Sequence, residues 1–443
     1  MEINIKRDNL LNRMVKIFVP LLLSNLLNVS IYMINSIWIG RLIGENGISI
    51  IANSYPITMI ASSIMSGPIT AIAVLISQNY GADEKEKVKQ IMGVFYIANI
   101  ILGILVTLIM FLLLPMLLGL LHTPSIILKD ISIYIFLYLI GYTVNFLFLT
   151  ICEALRAIEK TKIPMLFIAV ELTINSLVVP ILILIGLGIA GAAIGNIIAT
   201  VIVTVGIIVY INKNEELLKI NKKYLRLDVI YLKKILKIGI PITLELWLVS
   251  ALITIETYIS NRSGILGSAT YGVVGRLEQI FFVISQPLQT VSTILIGQYI
   301  GKKDIESIKS ILHRGFELII LPSVFILIIV FILPKQFSKI FVNSKDILDS
   351  TAAYLSIVGV AYVLMPARLF LNGFMIGTSY THYHFIASLI ASSLEVVMIF
   401  TLILYYQIEN LTALGIGVVT YIAVDMILNI CFYYSKCWIK GYD

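Results

Sequence analysis

Charge and cysteine are what this chain has least of. Charged residues make up 13% of its 443 positions and hydrophobic residues 59%, whereas a soluble domain carries about 25% charge. That composition excludes a water-soluble globule. The three cysteines, Cys152, Cys431 and Cys437, lie in or near apolar runs toward the cytoplasmic side, where disulfides are rare, so they read as packing residues. Four histidines give no metal set: His122 and His313 stand alone, and His382 with His384 falls in a short inside loop. There is no G-x-x-x-x-G-K-[ST], H-E-x-x-H, C-x-x-C or G-x-S-x-G, and no potassium-filter sequence. Gly297 to Lys302 is one residue too short for a phosphate loop. These absences exclude an ATP-driven engine and the familiar hydrolases, so neither an enzyme nor a resident cofactor is expected. A cleavable signal peptide is missing too, because the first apolar run reads as a full span.

What the chain does have is long apolar runs. Residues 172 to 212 hold no charged side chain. At about 20 residues per span that is two helices, with Gly186 to Gly191 as their turn. Spans are expected near 15–39, 48–79, 91–115, 131–153, 164–185, 189–211, 235–260, 268–299, 312–334, 352–373, 384–406 and 412–434. The fold class is therefore an all-α polytopic membrane protein with twelve transmembrane helices. Pro56, Pro68 and Pro287 supply kinks in the two longest spans. The net charge of +7 is placed by topology and does not point to nucleic acid. With the N-terminus inside, 24 of the 32 Lys and Arg residues fall on one side, six on the other, and only Arg276 and Arg368 within spans. That bias puts both termini in the cytoplasm. The internal loop from Asn212 to Lys237 reads as a linker between bundles or as a polybasic patch against anionic lipid.

The halves repeat. Pro20 opens an apolar run ending in Trp38-Ile39-Gly40-Arg41, and Pro241 opens one ending in Ile259-Ser260-Asn261-Arg262, at an offset of 221. Gln78-Asn79-Tyr80-Gly81 and Gln298-Tyr299-Ile300-Gly301 close the next span in each half. Two related six-helix bundles follow: residues 1–212, a cytoplasmic linker over 213–234, and residues 235–443. Related bundles of this kind are the usual design of a secondary transporter, with the substrate path between the halves.

Several stretches resemble the multidrug and toxic compound extrusion (MATE) transporters. They are Pro20 to Gly44, Gln78 to Ala82, Glu153-Ala154-Leu155-Arg156 with Lys160 to Pro164, Asn175 followed by Gly188 to Ala193, Gly239-Ile240-Pro241, Gly297-Gln298, and Asn372 to Thr378. The resemblance covers essentially the whole chain. It implies two six-helix lobes, a central cavity, and export of organic, often cationic, compounds driven by inward proton or sodium flow. It also exposes a departure. Many prokaryotic members have an aspartate in the first helix where this chain has Asn35. In one branch the fifth-helix asparagine, matched by Asn175, is followed four residues later by an aspartate, where this chain has Val179. Neutral Asn35 cannot titrate, although its carbonyl is able to coordinate a cation.

Eight acids lie within or at the edges of spans: Glu153, Glu171, Glu245, Glu256, Glu278, Glu317, Glu395 and Asp425. Intramembrane acids are costly enough to be functional candidates by default. Glu256 is the repeat image of Asn35 and the first candidate for ion coupling; contact with water at the outer surface, or pairing with Arg262, is the structural alternative. Glu278 lies about 15 Å into the next span by helix rise. Glu245 precedes Glu256 by about three turns on a similar face. Glu171 and Asn175, one turn apart, form a second polar site. Glu395 and Asp425 are further candidates, or partners for Arg368 in a structural network, while Glu153 with Arg156 reads as an interface ion pair. The expected function is secondary active export by proton- or sodium-coupled alternating-access antiport, in a monomer of the prokaryotic plasma membrane whose partners are small organic substrates and lipids. A lipid-linked saccharide flippase, which needs several basic side chains in a wide cavity, and a non-transporting scaffold or receptor are the alternatives.

Overall fold

The structure is a computed structural model that describes residues 7–121 and 123–439. His122, together with Lys6 and Lys440 from the 24 inside-facing cations, lies outside the described residues. The described residues contain helices and no strand. In chain order they are α1 Arg7–Leu42, α2 Glu45–Gly81, α3 Lys85–Leu120, α4 Leu128–Ala157, α5 Lys162–Leu182, α6 Gly188–Asn214 and α7 Val229–Arg262. There follow α8 Gly264–Gly301, α9 Ile305–Leu327, a short α10 Pro334–Ser338, α11 Lys345–Gly377, α12 Thr381–Leu404 and α13 Asn410–Ser435.

Eleven described stretches are long and apolar enough to cross a membrane, and one of them, Lys162–Asn214, runs to 53 residues. That one is two spans. Gly186 and Gly188 sit at φ 97° and 51°, a left-handed backbone that glycine alone adopts cheaply, and they reverse the chain so that α5 packs back on α6. The twelve spans expected from the sequence are therefore present. Helices reach further than the apolar windows, because Lys85 to Gln90 and Lys345 to Ser350 continue helically outside them. The segment expected to be a short inside loop is helical at its histidines: His382 and His384 lie in the first turn of α12. The missed boundary has a local cause. Tyr380 precedes the helix at φ −88° and ψ 44°, outside the helical region, and the helix begins at Thr381, a polar first turn that hydropathy cannot see.

The helices form two compact units, Pro20–Ile240 and Met1–Val19 with Pro241–Asp443. The divisions fall at prolines inside α1 and α7, Pro20 and Pro241, again 221 residues apart. Proline removes a helical hydrogen bond and crowds the preceding turn, so each of these helices has a natural break where its membership changes. The opening of α1 belongs with the C-terminal unit: Arg13 donates to Gln298 Oε1 at 2.7 Å and to Tyr299 Oη at 2.9 Å. The opening of α7 belongs with the N-terminal unit, where Tyr231 donates to Gln90 Oε1 at 3.0 Å.

Each unit has its own apolar core. Ile57, Met65, Met110, Ile131, Phe146 and Val179 are among the buried residues of the N-terminal one, and Leu277, Phe281, Val358, Tyr362, Ile399 and Leu414 of the C-terminal one. In the latter, α8 and α11 touch backbone to backbone at Gly373, where an added Cβ would lie 2.3 Å from Gln289 O. Outward faces stay apolar. On α3, Ile104, Leu108, Phe111 and Leu112 are exposed at helical spacing, as a lipid-facing stripe requires.

Candidate functional site: buried carboxyl ladder of the C-terminal unit

The N-terminal unit holds an amide cluster. Asn35 on α1 donates through Nδ2 to Asn196 Oδ1 on α6 at 2.9 Å, and Asn175 on α5 donates to the same oxygen. One turn before Asn175, Glu171 accepts from Thr200 Oγ1 at 2.8 Å. The Oδ1 atoms of Asn35 and Asn175 are buried and meet no donor among the described residues. Tyr134, Tyr138 and Tyr142 share a small cavity of about 50 Å³ with Asn196 and Thr200. Sequence reasoning grouped Glu171 with Asn175 alone; the structure adds Asn35 to them and, as their shared partner, Asn196, an unremarked polar residue in a run of Ile, Gly and Ala.

The C-terminal unit holds acids. Glu256 on α7 accepts from Tyr271 Oη on α8 at 2.8 Å and lies beside Glu395 on α12. It does not reach Arg262, the partner considered for it, and it is 7% exposed rather than bathed in water. Glu395 is 1% exposed, and neither of its oxygens has a hydrogen-bond partner among the described residues. A hydrogen bond between two carboxyls needs a proton on one of them, because two carboxylates have only lone pairs to offer. Two neighbouring buried carboxyls of this kind are suited to sharing one proton.

Glu278 on α8 has an exposed side chain and accepts from Tyr362 Oη on α11 at 3.3 Å. Arg276, two residues earlier, points elsewhere and lies over the Phe341 ring at 5.6 Å. Deeper in the unit, α13 presents Tyr421, Asp425 and Asn429 at one-turn steps to Arg368 and Asn372 on α11. Arg368 donates through Nε to Asp425 Oδ2 at 2.7 Å and through Nη2 to Tyr421 Oη at 2.6 Å. Asn429 Nδ2 donates to Asn372 Oδ1 at 3.1 Å. Of the two acids weighed as partners for Arg368, Asp425 takes the role and Glu395 belongs to the pair with Glu256. Glu245 Oε2 on α7 lies 2.8 Å from His384 Nε2 on α12, and Ser388 donates to Glu245 Oε1 at 3.4 Å. The edge acids behave structurally: Glu153 pairs with Arg156 at 2.5 Å, and Glu317 with Arg314.

Sequence reasoning did not find the tyrosines or His384. A signal was present, since the 245/256 and 384/395 intervals are both eleven residues, close to three helical turns. No group of three or more His, Cys, Asp or Glu side chains among the described residues is arranged to hold a metal ion.

Twelve apolar helices in two repeated units, with polar groups buried inside each, define a polytopic membrane transporter. A family model, MatE, matches residues 20–181 and again residues 241–401, two copies beginning 221 residues apart. The chain belongs to this family, the multidrug and toxic compound extrusion transporters. It is 26% identical over 432 residues to "Probable multidrug resistance protein YoeA" of Bacillus subtilis, covering 95% of this chain and 93% of that protein. It is 24% identical over 361 residues to "Multidrug export protein MepA" of Staphylococcus aureus, covering 81% and 80%. The fold is shared with the Vibrio cholerae MATE transporter VcmN in its bent form, at TM-score 0.89 and 20% identity over 98% of both chains. A transporter of the wider superfamily from Pyrococcus furiosus matches at TM-score 0.87 and 18% identity, over 98% of this chain and 96% of that one.

Proposed function

We propose that the chain is a proton-coupled secondary active exporter of organic compounds, cationic or amphiphilic in character, in the plasma membrane of a prokaryote. The observation that carries the coupling reading is the buried Glu256–Glu395 pair. The multidrug names of the Bacillus and Staphylococcus relatives support the substrate class. In this reading the lobes are residues 1–212 and 235–443 joined by the linker 213–234, and both termini are cytoplasmic, as the one-sided Lys and Arg distribution favours. The protein acts as a monomer among lipids.

The chemistry follows from charge. With its shared proton the pair carries one negative charge; without it, two carboxylates stand in contact. Two unit charges about 4 Å apart repel by about 4 kcal/mol at an effective dielectric of 20. That repulsion is relieved by a returning proton or by an arriving cation, so proton and cationic substrate compete for one state of the site. Exposure to the outside loads the proton and favours substrate release. Exposure to the cytoplasm releases the proton and favours substrate loading. Tyr271 holds Glu256 in place, Tyr362 holds Glu278 as a third acid beside the pair, and the Arg368–Asp425–Tyr421 and Asn372–Asn429 contacts keep α11 and α13 in register behind it. A proton is preferred to sodium because two adjacent buried carboxyls can be bridged by a single proton, whereas sodium asks for several convergent oxygens.

The test is substrate flux in proteoliposomes under separately imposed proton and sodium gradients, comparing the native chain with Glu256→Gln. Proton-driven export by the native chain and its loss in Glu256→Gln, with substrate binding kept, is the expected result. Full coupling in Glu256→Gln refutes the site, and stimulation by sodium alone refutes the ion.

A further inference from the structure

The proposed coupling uses one rung of a two-rung ladder. Helices α7 and α12 are odd-numbered spans, so both run outward from the cytoplasmic side in the topology proposed above. Each carries two titratable side chains at the same interval, Glu245 and Glu256 on one, His384 and Glu395 on the other. The residues pair across in order: Glu256 with Glu395, and Glu245 with His384 at 2.8 Å. Eleven residues rise about 16 Å, which places the second pair that far toward the cytoplasm.

His384 is 1% exposed, and its Nδ1 meets no partner among the described residues. A buried imidazole against a carboxylate is an expensive arrangement to keep for packing alone. The groups facing it are Glu245 from α7, Ser388 from the next turn of α12, Arg368 from α11 and Asp425 from α13. Arg368 is bonded to Asp425 at 2.7 Å, so those two cancel. What remains is an imidazole–carboxylate couple whose net charge changes by one when it gains or loses a proton. Between the rungs, α12 carries Ser388 and Ser392 at one-turn steps. Both are buried, and Ser392 Oγ has no partner among the described residues.

We propose that the Glu245–His384 couple is a second proton-binding station, through which the proton given up by Glu256 and Glu395 leaves for the cytoplasm. This rests on the proton-coupled reading of the Glu256–Glu395 pair. The carboxyl O–H bond of the upper pair breaks, the proton passes along the serine hydroxyls, and an N–H bond forms on the neutral imidazole. That N–H bond then breaks toward cytoplasmic water, which leaves both rungs ready for the next turnover.

Two measurements test it. In proteoliposomes with outer pH and membrane potential clamped, export is followed as cytoplasm-side pH is lowered from about 8 to about 6, across the range where imidazoles titrate. Driving force cancels in the ratio of native rate to His384→Gln rate. That ratio is expected to change at least about threefold across the range, since a one-proton step allows up to about tenfold per pH unit. A constant ratio overturns the inference. The second measurement needs no His384 variant: histidine-selective nitrogen NMR of the full-length protein, which has four histidines. His384 is assigned by elimination with His122→Gln, His313→Gln and His382→Gln. A change of protonation at His384 between about pH 5 and 9 supports the station, and a silent imidazole overturns it. Glu256→Gln separates the two readings. Loss of proton-driven export with His384 still titrating supports both, whereas sodium-only drive in the native chain overturns the coupling reading while His384 titration remains measurable by itself.

Discussion

Glu395→Gln is the substitution that isolates the shared proton. The amide has nearly the volume of the acid, so the packing of α12 against Gly417, whose added Cβ would meet Glu395 Cγ at 3.3 Å, is undisturbed. Neither oxygen of Glu395 has a hydrogen-bond partner among the described residues, so the amide strands no donor, and its NH₂ takes the place of the shared proton by donating to Glu256 without titrating. The folded state is expected to change by less than about 1 kcal/mol, as for other substitutions that open no cavity and strand no charge. Coupling is expected to change far more. A pH difference of one unit stores about 1.4 kcal/mol per proton, and that amount supports a tenfold substrate gradient at one-for-one exchange. With the shared proton removed, the accumulation ratio falls from about tenfold toward one. The assay is accumulation of substrate in everted vesicles under an imposed one-unit gradient, beside substrate counterflow with no gradient. Counterflow should persist, because it needs only binding and movement of the carrier. A Glu395→Gln protein that still holds the tenfold gradient refutes the argument that this pair carries the coupling proton.

Two further outcomes follow from the geometry. Asn35→Ala removes one neutral hydrogen bond to Asn196 Oδ1, worth about 1 kcal/mol, so proton-driven flux should fall by no more than about fivefold and its proton dependence should be unchanged; loss of gradient-driven export comparable to that of Glu256→Gln would place coupling in the N-terminal unit instead. Gly373→Ala forces a Cβ to 2.3 Å from Gln289 O and 2.7 Å from Ser292 Cβ, an overpacking that costs about 1–3 kcal/mol and should lower the thermal unfolding midpoint in detergent, whereas Gly272→Ala, with nothing within 4 Å of the added atom, should not lower it.

Much of the fold was legible because lipid makes simple demands. A charge-free run from 172 to 212 admits little but two helices, and Gly186 with Gly188 marked their turn. The 221-residue offset was readable from Pro20 and Pro241 because the same backbone break is needed in each half. Partnerships were another matter. Nothing in the sequence says that Glu395 turns to Glu256 and Asp425 to Arg368, since both acids lie on spans that reach the same depth. The choice is made by helix rotation: α13 offers Tyr421, Asp425 and Asn429 along one stripe facing Arg368 and Asn372, which leaves α12 to face α7. His384 was read as a loop residue because hydropathy falls there. Its burial depends on tertiary packing around the helix start, which a one-dimensional profile does not contain.

The repeat makes the missing acids of the first half intelligible. Asn35 on α1 is the image of Glu256 on α7, and the image of Asn175 on α5 falls at Val396, one residue beyond Glu395 on α12. The two units therefore build the same constellation, a polar residue on the first helix of the bundle joined to one on the fifth. In the N-terminal unit the join runs through the Asn196 carbonyl and is made of amides. In the C-terminal unit it is direct and made of carboxyls. An amide cluster exchanges hydrogen bonds but no charge, so it binds without responding to pH. A carboxyl pair changes charge by one for each proton exchanged. An exporter needs one element that senses the driving ion, and a duplicated scaffold offers two places to put it. In the proposed reading the neutral residues at 35 and 179 leave the first place without a titrating group, and Glu256 with Glu395 supply one in the second. The proposal accordingly ties proton coupling to movements of α7 and α12, the two helices that hold the pair, rather than to α1.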